Sequence, residues 1–205
     1  QVGVTFTKNV DPYEVAKIRI LNGGHTCLAY LGALAGHHTF DQAMADPELF
    51  AHFEEFERGE VLPALVEALP FDKNLYLDRI IMRFKNASIG DTVERICADG
   101  YLKFPIFIHP TLAGCLKQGI LPRAGLRAIA SWYVFCKHIE AGTLPIAYGE
   151  PYWDNLRELL QAGQVDRFAR SASLWGTLPQ DHPEFTPALI AAITEMEKNG
   201  QSKNS

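Results

Sequence analysis

With 205 residues, 47% of them apolar and 21% charged, the chain has material for one domain with a sizeable core, or two small ones, and the composition of an ordinary globular protein. A formal charge of −5 removes the electrostatic case for a nucleic-acid partner, which calls for a basic stripe. No apolar run approaches the ~20 residues of a membrane span, and Gln1-Val2-Gly3-Val4-Thr5-Phe6 lacks the basic-then-apolar order of a signal peptide.

Helix-start signals recur along the chain and strand signals are scarce. Asp11-Pro12-Tyr13-Glu14 combines a cap, a proline at the first helical position and a glutamate three residues on. The helix it opens should run to about Ala35, with Gly36 stopping it. Thr39-Phe40-Asp41-Gln42 is a capping box, and Asp46-Pro47 opens a helix with a wide apolar face and an expected bend at Pro63. The acidic run Glu54-Glu55-Phe56-Glu57 on that helix reads as a solvated face. Asp72 should cap a helix through Phe84, followed by a loop at Asn86 to Gly90. Asp91 should start a short helix ending at Asp99-Gly100, with Pro105 opening the next segment to Gly119. Pro122 precedes a long apolar helix to about Gly142, Thr143 to Glu150 reads as loop, and further helices are expected from Pro151, Val165 and Pro183. The tail from about residue 200 is polar and expected to fray. The pattern predicts an all-α, single multi-helix domain.

Four cysteines (Cys27, Cys97, Cys115, Cys136) lie far apart in apolar stretches, which indicates reduced thiols in a cytoplasmic protein. No metal site is expected, because His37-His38 has no third ligand at useful spacing. His109 reads as structural, and Trp132, Tyr133, Phe135, Trp153 and Trp175 as core.

The chemistry-bearing stretch is Lys17 to His25. It sets an amine, an amide and an imidazole inside an apolar helix, and such groups cost desolvation when buried. The adjacent Gly23-Gly24 costs about 1 kcal/mol per glycine relative to alanine, which makes sense where a ligand or another backbone must come close. On an ideal helix, Asn22 lies about 140° and His25 about 80° from Lys17, so the three can share a broad face. The axial spread of about 12 Å asks for a distortion, expected at the glycines. Converged, a lysine between apolar walls can take an alcohol's proton as hydride leaves, while Asn22 and His25 hydrogen-bond the oxygen. The bland alternative has the lysine reaching to solvent, the asparagine at a kink and the histidine satisfied in a core.

Lys17-x4-Asn22-x2-His25, followed by Leu28 to Gly36, resembles the C-terminal domain of the polyol-specific long-chain dehydrogenases, the family of mannitol 2-dehydrogenase and the fructuronate and tagaturonate reductases. Arg83-Phe84-Lys85-Asn86 and the segment Arg95…Asp99-Gly100…Lys103-Phe104-Pro105 are similar to two further family signatures, in the same order and separation. Thr26 and Ala87 depart from the commoner serine and proline, and Gly23-Gly24 from bulkier residues.

The resemblance implies that residues 1–205 are the helical substrate-binding half of a two-domain enzyme whose N-terminal Rossmann domain lies upstream. It also implies NAD or NADP bound mainly by that absent domain, a polyol or ketose substrate and no metal. Lys17 would be the general acid/base, Asn22 and His25 would polarise the substrate oxygen, and Arg95 and Lys103 would hold the sugar hydroxyls. Two cations could equally meet a carboxylate, which keeps a hexuronate reductase as an alternative. A non-catalytic helical interaction domain is the alternative from another class.

Overall fold

The computed structural model describes residues 6–161 and 163–202. The chain is all-α: no strand forms among the described residues, and the single isolated bridge there pairs Thr39 with Thr92. No described helix is long and apolar enough to cross a membrane.

Helix α1 (residues 11–34) consists of an α-helical start (Asp11–Ala16), a π-helical run (Lys17–Asn22) and an α-helical second half (Gly23–Leu34). The distortion expected at the two glycines therefore lies one turn earlier. The N–H of Gly23 donates to the carbonyl of Ile18, the i→i+5 bond that defines the wider turn. Every residue from Thr26 to Ala33 is buried, as expected of a helix apolar on all sides.

Helix α2 (Phe40–Ala45) carries the predicted Thr39–Gln42 capping box. Helix α3 (residues 47–64) starts on Asp46, whose Oδ1 accepts from the N–H groups of Glu48 and Leu49. Its π-helical run (Glu55–Val61), the second along the chain, lies just before Pro63. A proline ring collides with the carbonyl four residues back, and a widened turn moves that carbonyl away. The same reasoning applies to α6 (residues 100–117), where Pro105 sits inside a third run (Phe104–Ile108). That helix starts at Gly100 and passes through Pro105, so the break expected at Asp99-Gly100 is a helix start, with Asp99 left-handed at φ 60°.

Between them, α4 (Lys73–Phe84) is capped by Asp72, and α5 (Val93–Cys97) by Thr92 rather than by Asp91. Helix α7 (Arg123–Glu140) is central: it packs against α1 on one side and the last helix on another, burying Trp132 and Phe135 completely. Helices α8 (Trp153–Leu160) and α9 (Val165–Ala169) begin near the expected places. Two short helices that the sequence did not announce follow, α10 (Ala172–Trp175) and α11 (Leu178–Asp181). The last, α12 (Phe185–Ser202), stays helical past Gly200, and the rest of the polar tail lies outside the described residues.

All four cysteines are buried and free. One core joins the helices around Tyr30, Phe104, Trp132 and Phe135, with the Phe104 and Trp132 rings stacked at 4.4 Å. Full burial of each such side chain contributes about 1.5–3 kcal/mol.

Candidate active site

The π-helical run decides how α1 presents its polar groups. Five residues of α-helix separate two side chains by about 140°, and an i→i+5 turn narrows that angle. Lys17 and Asn22 are the two ends of that run. Thr26 Oγ1 donates to the carbonyl of Asn22 at 2.9 Å, occupying an acceptor at the end of the run. The hydroxyl that serine would supply at this position is thus retained.

The two glycines are explained by close approach. A Cβ on Gly23 would stand 3.3 Å from the carbonyl oxygen of Phe107, and one on Gly24 would stand 2.6 Å from Glu57 Oε1 and 2.9 Å from the Phe53 ring. The second and third π-helical runs therefore press directly on α1. Glu57 is fully buried, which corrects the reading of 54–57 as a solvated face: Glu55 alone of its three glutamates is exposed. The cause is helical phase, because the widened turn rotates Glu57 inward toward the bare backbone of Gly24. Burial holds its carboxyl well above the usual carboxylate range.

His25 is sandwiched. Its ring stacks on Phe84 at 4.1 Å and takes the Phe40 ring edge-on at 4.7 Å. Burial pushes its pKa down to about 4, with Asp91 opposing and Arg95, Arg83 and Lys103 adding to the fall. The imidazole is neutral near pH 7 and can act as a one-proton hydrogen-bond donor. Its Nε2 stands 3.9 Å from Asp91 Oδ2, outside hydrogen-bond distance, and has no partner among the described residues.

Asp91 is the residue that the sequence reading missed at this site. Its Oδ1 accepts a hydrogen bond from the Arg95 guanidinium, four residues on. Its backbone carbonyl accepts from the N–H of Phe40 at 2.9 Å, and the N–H of Val93 donates to the carbonyl of His38. Together with the Thr39–Thr92 bridge, these bonds fix the carboxylate beside His25. The signal available was the Asp91–Arg95 spacing, which suits an ion pair on a helix.

Lys103 is half-buried, and its Nζ donates to the carbonyl of Ile96 at 2.8 Å; burial lowers its pKa. The start of its helix is held by the 144–150 strap. Glu150 Oε2 accepts from the Tyr101 N–H and the Tyr148 hydroxyl, and Asp99 N–H donates to the carbonyl of Gly149. Gly100 has no room for a side chain, since a Cβ would meet the Trp132 indole and the hydroxyls of Tyr30 and Tyr148.

Of the five predicted residues, His25, Arg95 and Lys103 thus share one electrostatic neighbourhood, with Asp91 between the first two. Lys17 and Asn22 lie earlier on the helix that carries His25. Asn22 is half-buried, and Lys17 is exposed rather than walled by apolar groups. His109 plays the structural part expected of it, with Nε2 on the carbonyl of Trp175 at 3.2 Å. A wide groove of about 610 Å³ beside Phe71 and Val66 contains none of the five.

Residues 9–197 match the family model described as "Mannitol dehydrogenase C-terminal domain". D-arabinitol 4-dehydrogenase of Klebsiella pneumoniae is 36% identical over 180 residues, covering 86% of this chain and 39% of that protein. Mannitol 2-dehydrogenase of Cereibacter sphaeroides is 37% identical over 196 residues, covering 93% of this chain and 41% of that protein. The solved structure of Pseudomonas fluorescens mannitol 2-dehydrogenase, a ternary complex with NAD and D-mannitol, matches with a TM-score of 0.87 at 30% identity. That match covers 98% of this chain and 42% of the other, so the chain spans well under half the length of these relatives.

Proposed function

The chain belongs to the mannitol dehydrogenase C-terminal domain family, and on that premise we propose that it is the substrate side of an NAD(P)-dependent, metal-independent polyol dehydrogenase. The reaction interconverts a secondary alcohol and a ketose. The observation that carries this reading is a neutral imidazole, His25, fixed between two rings and flanked by Asp91 and Arg95, on the helix whose π-helical run begins at Lys17 and ends at Asn22.

In the oxidative direction Lys17 takes the proton of the reacting hydroxyl. Asn22 and His25 donate hydrogen bonds to that oxygen, where negative charge develops. A neutral imidazole does this without losing a proton of its own. Arg95 and Lys103 hold the remaining hydroxyls. The nicotinamide, when bound, accepts the hydride from the carbon.

The residues present suit the substrate rather than the dinucleotide. Among the described residues no strand is followed by a glycine-rich phosphate loop, and Lys17 and Arg95 are both exposed. An upstream Rossmann domain would supply the nicotinamide and wall in Lys17. Ile89, Leu102 and Ile106, apolar and exposed near Arg95 and Lys103, suit such a cover.

A neutral substrate is favoured over a hexuronate because two of the three cations near His25 are already engaged, Arg95 by Asp91 and Lys103 by the Ile96 carbonyl. Steady-state assays of the full-length protein against mannitol, arabinitol, fructuronate and tagaturonate, with NAD(H) and NADP(H), test the reading. Turnover of a polyol–ketose pair supports it; turnover of the sugar acids alone removes it.

A further inference from the structure

Arg95 and Lys103 can only donate hydrogen bonds, and a site lined by donors alone would hold a carboxylate at least as well as a hydroxyl. A polyol hydroxyl both donates and accepts, so a site selective for it needs an acceptor as well. Asp91, beside His25 and Arg95, has that chemistry. Its carboxylate is tied in place from the backbone and only 23% exposed, one oxygen is taken by Arg95, and the other stands 3.9 Å from His25. An oxygen that near the imidazole on the reacting hydroxyl is within reach of a hydroxyl on the neighbouring carbon.

We propose that Asp91 is a specificity-determining residue. Its Oδ2 accepts a hydrogen bond from a substrate hydroxyl beside the reacting carbon, Arg95 donates to the same region, and the Asp91 charge turns away substrates bearing a carboxylate. The inference rests on the polyol dehydrogenase reading and names what selects its substrate.

The test compares the full-length wild type with Asp91→Asn and Asp91→Ser, using a polyol and a hexuronate in parallel. Asparagine keeps the shape and one acceptor oxygen without the charge, and serine keeps a smaller acceptor. Both should raise KM for the polyol by about tenfold or more, with kcat and the KM for the dinucleotide within a few-fold, as expected when an acceptor that holds the substrate equally in ground and transition states is weakened. The ratio of polyol to hexuronate kcat/KM should narrow by about tenfold or more as the negative charge is removed. Thermal unfolding of each variant identifies any that fails to fold, and the other then decides. An unchanged ratio in a folded variant, or a loss confined to kcat, overturns the role given to Asp91 while leaving the polyol reading intact. A wild type that prefers the hexuronate overturns both.

Discussion

Gly24 and Glu57 lie so close that a Cβ on the glycine would stand 2.6 Å from the carboxyl oxygen. The contact couples the helix carrying His25 to a fully buried acid on α3, and it makes an alanine at this position a sharp probe. Helix propensity alone would favour Gly24→Ala by about 1 kcal/mol. The collision should win, because the Phe53 ring at 2.9 Å is packed and cannot swing aside. The expected net destabilisation is about 1–3 kcal/mol, from overpacking. Gly59→Ala is the control: nothing lies within 4 Å of its Cβ position, so it should be neutral or stabilising by up to about 1 kcal/mol. Urea unfolding of both variants separates the two effects.

This contact also shows where sequence reasoning stopped. Caps were legible, because Asp46, Asp72 and the Thr39–Gln42 pair act through local side-chain bonds. So was the family, because its pattern over Lys17, Asn22 and His25 sits in one short stretch. The π-helical runs were not legible, since a shift from i→i+4 to i→i+5 bonding leaves no residue signature apart from a nearby proline. Their consequence, an inward Glu57, was lost with them. Asp91 was missed because its partner His25 is far away in sequence and is brought to it by tertiary packing.

His25 predicts an acid-side loss of stability. Its folded value of about 4 lies below the ordinary 6.5, so the unfolded chain takes up the proton first. The contribution is complete above about pH 6.5 and is lost as pH falls toward 4, amounting to about 3 kcal/mol. His52, pushed down to about 3 by burial, adds to the same slope. In His25→Phe the loss of stability between neutral pH and about pH 4.5 should be smaller than in the wild type, by urea unfolding at each pH. An imidazole titration for His25 near 6.5 by NMR would refute the buried, neutral assignment.

Glu60 predicts the opposite slope. Its carboxyl caps the start of α7 from another helix, Oε1 accepting from Ala124 N–H at 2.7 Å and Oε2 from Gly125 N–H at 2.8 Å. Burial nevertheless raises its pKa to about 7, against the pull of those two donors. A folded value above the unfolded one means that the native state holds the proton more tightly. Its contribution is present below about pH 4.5 and is lost as pH rises through 7, up to about 3 kcal/mol. Glu60→Gln should therefore gain on the wild type as pH rises across that range. Parallel stability curves for the two proteins would contradict it.

Residues 1–205 alone should show no turnover with NAD(P)H and fructose, because no described element cradles a dinucleotide. The exposed apolar side chains Ile89, Leu102 and Ile106 should make the isolated chain prone to self-association, measurable by sedimentation.

The proton-transfer role of Lys17 is tested most directly by kcat of the full-length protein carrying Lys17→Ala, measured with a polyol the wild type oxidises and saturating dinucleotide. The expected result is a fall of about 10²–10⁴-fold, the usual loss when a positioned general base is removed. A kcat within a few-fold of wild type would mean that the amine on the π-helical turn does not carry the proton.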